Sequence, residues 1–475
     1  MYLFNPLSFD VFNWVLFLVE FAPHVIGALA VLVVLLPRSQ KKYPILFVPV
    51  LISTMVTSVI ICSWEDAYYN KYPIFAQPSL RSALEAYITK QPADELTAGN
   101  DNTVNLLEVE EILESNQYAP TFGYYEIKYL IQDLLRHTVF HWDTHNEDNI
   151  DEGYNKGNDW FAKMLGPTMM YTTGLYPTGT ETLEEAQNHK IDYVADAIQL
   201  TPGMTVLDIG CGWSYTAKRL SEIHGANVTG VTLSKEQLKF GKSFNQNNPN
   251  VRLEYQNAML LAERQDLIPQ PGKFDRVVSL EMAEHVGIRR YQEFLKIIRN
   301  DLLSDDGIFY FQVAGLRRAW RYEDLVWGLF MGENVFPGAD ASCPLGWVVE
   351  QVERAGFEVQ RVHNTGSHYS RTLQHWLDNW RSNQSYITSK YGGFAYRRWE
   401  VFLAWSVRVA RQGSSTLFML TLTKAGEEGR RVNSQAHLVP KAFPNQASFE
   451  TVQVEEIMAN IERQQKVALA ESHTN

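Results

Sequence analysis

The sequence predicts an α/β protein built on a doubly wound parallel sheet, with a helical insertion late in the chain and a membrane hairpin ahead of it. Three observations carry this. From Thr205 the chain reads strand, glycine turn, helix, strand, the alternation that builds a parallel sheet with helices on its faces. Further strand-like runs follow at Val251 to Tyr255, Phe274 to Leu280, Ile308 to Val313, Phe357 to Val362 and Thr416 to Thr423, the last two separated by an aromatic, helical stretch from Tyr369 to Arg411. Two apolar segments, residues 14–36 and 45–62, stand near the N-terminus.

Taken in chain order, Ile45 to Cys62 is an almost uninterrupted apolar run, close to the ~18–20 residues a membrane-spanning helix needs. Trp14 to Leu36 is interrupted by Glu20, Pro23 and His24, so it can span, re-enter or lie at the interface. Together they read as a hairpin occupying residues 1–62. A cleaved signal peptide is disfavoured, because no basic stretch precedes the first run and a second follows directly. Residues 63–150 read as a juxtamembrane helical region and linker. Gln91 to Asn105 is polar, and Leu106 to Trp142 carries apolar residues at helical spacing, with Leu130, Ile131, Leu134 and Leu135 as a buried stripe. The main body is placed at residues 151–425. The tail, 426–475, is polar, with one amphipathic pattern from Phe449 to Val467.

Composition excludes several functions. The net charge of -12 argues against affinity for nucleic-acid phosphate, which needs a basic face. Cys62, Cys211 and Cys343 lie far apart, giving neither a disulfide framework nor a zinc knuckle. His137, His141 and His145 fall at helical spacing, but no fourth ligand accompanies them, so they are assigned a structural or interfacial role and no metal is expected.

The segment Val206 to Gly212 puts two glycines where a strand turns into a helix, so backbone can approach a ligand and helix N–H groups face it. A dinucleotide fingerprint would need a third glycine at 215 and an acid about 20 residues on; Tyr215 and Thr232 stand there. Instead, Leu207-Asp208-Ile209-Gly210-Cys211-Gly212-Trp213 resembles motif I of class I methyltransferases, whose Rossmann-like fold binds S-adenosylmethionine at this turn. The resemblance implies that Asp208 and the backbone of Gly210 and Gly212 orient the amino-acid end of the cofactor; a turn cap is the alternative for Asp208. Thr232 and Gln237 offer neutral groups where many methyltransferases use an acid for the ribose. Ser234 serves equally well as a cap of the following helix.

Gly-Cys-Gly-Trp, Thr232-Leu233-Ser234-Lys235-Glu236-Gln237 and Glu281-Met282-Ala283-Glu284-His285-Val286-Gly287 resemble the cyclopropane-fatty-acid and mycolic-acid synthase superfamily, over residues 110–425. Within it, Met170-Tyr171-Thr172-Thr173-Gly174, Gly315 to Trp320, Tyr322 to Met331, Phe336 to Ser342 and Ala410 to Ser414 look like the sphingolipid C9-methyltransferases. Those enzymes carry an N-terminal membrane hairpin and methylate the Δ8 double bond of the ceramide long-chain base in glucosylceramide synthesis. The resemblance extends the cofactor contacts to Tyr171, Thr172, Cys211, Trp213, Leu233 and Asn257. It makes Glu284 the leading catalytic residue and places His368 and Tyr369 in the substrate pocket. Glu281 reads as a supporting or helix-start carboxylate. Other superfamily members use bicarbonate as base, held partly by a Cys, a His and a Tyr. Here those positions are Thr173, Gln312 and the Val401-Phe402 region, which leaves the proton acceptor open.

The implied partners are the membrane and a lipid, ceramide-type or phospholipid. The implied location is the endoplasmic reticulum, multi-pass, with the catalytic body in the cytosol where the cofactor is made. Arg38, Lys41 and Lys42 between the apolar segments pull the other way, since basic loops prefer the cytosolic side. An alkene is a weak nucleophile whose methylation leaves a carbocation, so the site must be dry and the cation stabilised. Trp376 to Trp380, Tyr391 to Trp399 and Phe402 to Trp405 could line such a tunnel or simply form a core stripe. Two alternatives stay open: a phospholipid cyclopropane synthase, and a tethered cofactor-binding protein without catalysis, to which Ser214 in place of a glycine points.

Overall fold

A computed structural model of the protein describes residues 80–89, 104–114, 156–269, 272–319, 321–336 and 341–426. The apolar segments 14–36 and 45–62, His137, His141, His145, the stripe from Leu130 to Leu135 and the 426–475 tail, apart from residue 426, lie outside these. Among the described residues no helix is long and apolar enough to cross a membrane.

The strands are β1 (Thr205–Ile209), β2 (Asn227–Thr232), β3 (Val251–Tyr255), β4 (Phe274–Leu280), β5 (Leu303–Leu316), β6 (Phe357–Asn364) and β7 (Ser415–Lys424). They form one sheet in the order β3-β2-β1-β4-β5-β7-β6. The chain lays down β1, β2 and β3 in one direction, then crosses back to place β4 on the other side of β1. A crevice opens at such a reversal, at the carboxyl ends of the strands.

The expectation of a wholly parallel sheet is corrected at one edge, where β7 runs antiparallel to both β5 and β6. The pattern of β7 could not reveal this, because it is buried along nearly its whole length and so lacks the alternation that marks a half-exposed antiparallel strand. β5 begins five residues before its predicted start, at Leu303 rather than Ile308, since the exposed Asp305 and Asp306 read as a turn.

The insertion is three helices, Gly366–Ser382, Gln384–Tyr391 and Gly393–Arg411. Its aromatics pack against one another rather than lining an open tunnel. Trp380, Trp399 and Trp405 are fully buried, with Trp160 and Trp380 centroids 4.7 Å apart and Trp380 stacked on Tyr396 at 5.7 Å. Trp376 meets Tyr171 at 4.9 Å.

The described part of the 63–150 region belongs to the same body. Helices Leu80–Thr89 and Val104–Glu114 bury Leu84, Ile88, Val109 and Leu113 in one core with Trp399. Tyr87 donates to Glu400 at 2.8 Å, and Arg381 bridges Glu400 and Glu110 at 2.9 Å each. Val104 and Asn105, read as linker, begin the second of these helices.

Candidate active site

The cleft lies at the carboxyl ends of β1, β2 and β4, and the turn after β1 forms its floor. Gly210 (φ +79°) and Gly212 (φ +53°) take the left-handed conformation that side chains disfavour. The N–H groups of Gly210 and Cys211 both donate to the Val231 carbonyl, at 2.9 and 3.0 Å, tying the turn to β2. Ser214 (φ +71°) completes the left-handed turn and opens helix Tyr215–Glu222.

Eleven of the twelve residues assigned to the cofactor line this cleft: Tyr171, Thr172, Asp208, Gly210, Cys211, Gly212, Trp213, Thr232, Leu233, Gln237 and Asn257. Thr232 donates to Gln237 Oε1 at 2.9 Å, orienting both at the end of β2. Asn257 accepts the Met259 N–H at 3.0 Å and so starts the turn that closes the far side. Ser234 is not in the wall; its hydroxyl accepts the Gln237 N–H at 3.3 Å as a helix cap, the alternative the sequence had left open.

Asp208 is nearly fully buried, and its Oδ2 has no hydrogen-bond partner among the described residues. Burial pushes its carboxyl well above the ordinary range, and the charge of Lys190 opposes this. A buried acceptor facing a cleft calls for a cationic donor. The ammonium of S-adenosylmethionine supplies one, so the residues present fit that cofactor.

Lys190 was not foreseen. It comes from helix Leu183–Ala197, whose start is fixed by a capping box between Thr182 and Glu185. The side chain is completely buried and donates to Gln187 Oε1 at 2.8 Å and to Thr172 Oγ1. Burial pulls its ammonium down, while the charges of Glu281 and Asp208 pull it up. In sequence, Gln187 and Lys190 resemble the polar face of a surface helix. The one hint was that Lys190 adjoins the buried Ile191.

Glu281 was set aside in the sequence as a supporting carboxylate, yet it lines the cleft. It holds a left-handed backbone at φ +53°, and its N–H donates to the Gln312 carbonyl at 2.8 Å. Its Oε1 accepts the Thr173 N–H at 2.7 Å and the Gln312 Nε2 at 2.6 Å.

None of the five residues assigned to catalysis, Glu284, Gln312, Thr173, His368 and Tyr369, lines the cleft. Thr173 and Gln312 are fully buried behind Glu281. Glu284 is buried in a short 3-10 turn, where its Oε1 accepts the Ala314 N–H of β5 at 2.5 Å. The Tyr369 phenol is pushed up by burial and by the charges of Glu281 and Glu284, so it sits near both. His368 is further off: its Nδ1 accepts the Tyr176 N–H at 3.0 Å, and burial lowers its basicity. It braces the 176 loop.

The positions assigned to a bicarbonate ion do not fit one. Thr173 and Gln312 converge, but on the Glu281 carboxylate, while Val401 and Phe402 are apolar and buried. Among the described residues no group of His, Cys, Asp and Glu could hold a metal ion.

The family model for mycolic acid cyclopropane synthetase matches residues 141–420. Two relatives are similar: sphingolipid C9-methyltransferase 2 of Gibberella zeae, 43% identical over 65% of this chain and 59% of its own length, and sphingolipid C9-methyltransferase A of Emericella nidulans, 42% identical over 65% and 60%. The chain thus spans about three fifths of the length of these relatives. Among solved structures, mycolic acid cyclopropane synthase CmaA1 in complex with SAH and CTAB superposes with a TM-score of 0.54, at 28% identity over 58% of this chain and 98% of that one. The strand order, the cleft at the strand reversal and a family match over more than half of the sequence agree, and the chain belongs to the mycolic acid cyclopropane synthetase family of the class I methyltransferase fold.

Proposed function

We propose that this protein is an S-adenosylmethionine-dependent C-methyltransferase that methylates C9 of the Δ8-unsaturated long-chain base of a ceramide. The observation that carries the reading is the 42–43% identity to the sphingolipid C9-methyltransferases of Gibberella zeae and Emericella nidulans over 65% of this chain. The bound cofactor supplies an electrophilic methyl group. Asp208 and the Gly210–Gly212 backbone hold its amino-acid end, and Thr232 with Gln237 hold the ribose through neutral hydrogen bonds. Apart from Asp208 and Glu281, the side chains of the wall are apolar or neutral. Met169, Met170 and Tyr171 line it, and burial pulls His285 down to about 4, so that ring is uncharged at neutral pH. A wall of this kind excludes water and leaves a cation on the alkene without a nucleophile to trap it.

The apolar segments within residues 1–62 fit an anchor that brings this cleft to a lipid substrate, at the endoplasmic reticulum membrane with the body in the cytosol. Expression of the full chain in a host that makes Δ8-unsaturated ceramides but lacks the methyl branch tests the reading by lipid mass spectrometry. Gain of one CH2 unit on the long-chain base, with the double bond retained, is expected. The same gain on phospholipid acyl chains, with the double bond lost, would replace this reading with cyclopropane synthesis, which the family model also accommodates. Removal of residues 1–62 should leave cofactor binding intact and slow turnover of bilayer-embedded ceramide; equal rates would show that the segment does not serve as an anchor.

A further inference from the structure

Methylation of an alkene that keeps its double bond must end by removing a proton from carbon, so the cleft needs a base. Only two carboxylates line it among the described residues, Asp208 and Glu281. Asp208 lies in β1, just before the glycine turn, and is assigned to the cofactor's amino-acid end. Glu281 stands just past the end of β4, the strand beside β1.

The backbone at Glu281 is informative. A left-handed φ of +53° at a non-glycine residue is uncommon and costs free energy that a glycine would avoid. Such conformations persist where the surroundings over-determine them, and they cluster at functional sites. Here two donors from different elements, the Thr173 N–H and the Gln312 side chain, both end on Oε1. They fix the plane of the carboxylate, and neither uses Oε2. Burial pushes the Glu281 carboxyl above the ordinary range and so raises its affinity for a proton, while these two hydrogen bonds and the charge of Lys190 oppose that push. The two donors that the family resemblance would give to an external bicarbonate are therefore occupied by a carboxylate of the chain itself.

We propose that Glu281 is the built-in base of the reaction, taking the place of an external anion. The proposal rests on the alkene-methylation reading above. The alkene's π electrons form the new C–CH3 bond as the methyl leaves sulfur, which placed a positive charge on the cofactor and now becomes neutral; the positive charge passes to the neighbouring lipid carbon. Glu281 then takes a proton from the carbon adjacent to that cation, and the C–H electron pair becomes the new double bond. The carboxylic acid so formed gives its proton to water once product has left. Thr173 and Gln312 are positioning residues in this scheme.

Full-length E281Q and E281G test it in parallel with wild type, with cofactor affinity measured by calorimetry as the check on folding. E281G relieves the backbone and leaves a space for a small anion. Both variants should turn over about 100-fold more slowly, within the range general bases contribute, and formate or bicarbonate should raise the E281G rate several-fold. Wild type should run equally fast in CO2-free buffer. Near wild-type rates in both variants, a wild-type rate that falls without CO2, or an E281G enzyme that stays slow with either anion would overturn the proposal. A wild type that leaves every lipid alkene unmethylated overturns the underlying reading instead, and this proposal with it.

Discussion

Gly210→Val is expected to leave a folded protein with no measurable affinity for S-adenosylmethionine. Gly210 sits at φ +79°, and a Cβ there would lie 2.4 Å from Met282 Cγ and 2.8 Å from Met282 Cβ. The second contact matters more. A methionine can swing its far end aside, but its Cβ moves only with the backbone, and that backbone lies between the left-handed Glu281 and the buried Ala283. Valine also carries the steric cost of the left-handed region, about 1–2 kcal/mol. The chain will relieve both by opening the 210–213 turn. That movement withdraws the Gly210 and Cys211 N–H groups from Val231 and displaces Asp208 from the cofactor's amino-acid end. Calorimetric titration with the cofactor, alongside a thermal melt, decides the matter. Unchanged affinity in a protein with a wild-type melt would remove the cofactor from this turn.

Much of this site was legible because each signal was local. The strand-turn-helix at 205–222 needs two glycines at fixed spacing, and Thr232 ends β2 while Gln237 lies in the first turn of the helix that follows. What the sequence could not show depends on residues brought together from far apart. Lys190 and Glu281 are separated by about a third of the body, and their approach to one another follows from helix Leu183–Ala197 packing against the sheet. Thr173, Glu281 and Gln312 were each noticed, but nothing local revealed that the second is the acceptor for the other two. The backbone conformation of Glu281 is invisible as well, since a helix-start glutamate and a left-handed one look alike in sequence. The aromatic insertion shows the reverse problem. A tunnel and a core share one sequence pattern, and only the packing of Trp380 against Tyr396, stacked, and against Trp160, tilted, separates them.

Glu284→Gln is expected to lower turnover by about 100-fold or more while cofactor affinity changes little, the pattern for a contact that matters mainly in the transition state. The structure sharpens the rival explanation. Glu284 does not cap a long helix; it ties the turn after β4 to β5 through the Ala314 N–H. A glutamine keeps a carbonyl oxygen for that bond and loses only the charge. If the tie is all that Glu284 provides, exchanging a charge-assisted for a neutral hydrogen bond should cost about 1 kcal/mol of stability, with the rate near wild type. If the negative charge stabilises the lipid cation, the rate falls even though the tie survives. The charges of both Glu281 and Glu284 push the Tyr369 phenol up, so both carboxylates act on that one ring. Glu284→Ala separates the contributions further, because it breaks the tie as well: a rate no lower than that of the glutamine variant, together with an earlier melt, assigns the charge to catalysis and the hydrogen bond to stability. A glutamine variant that melts slightly early and methylates at the wild-type rate would remove Glu284 from the mechanism and leave Glu281 as the acid residue that acts on the substrate.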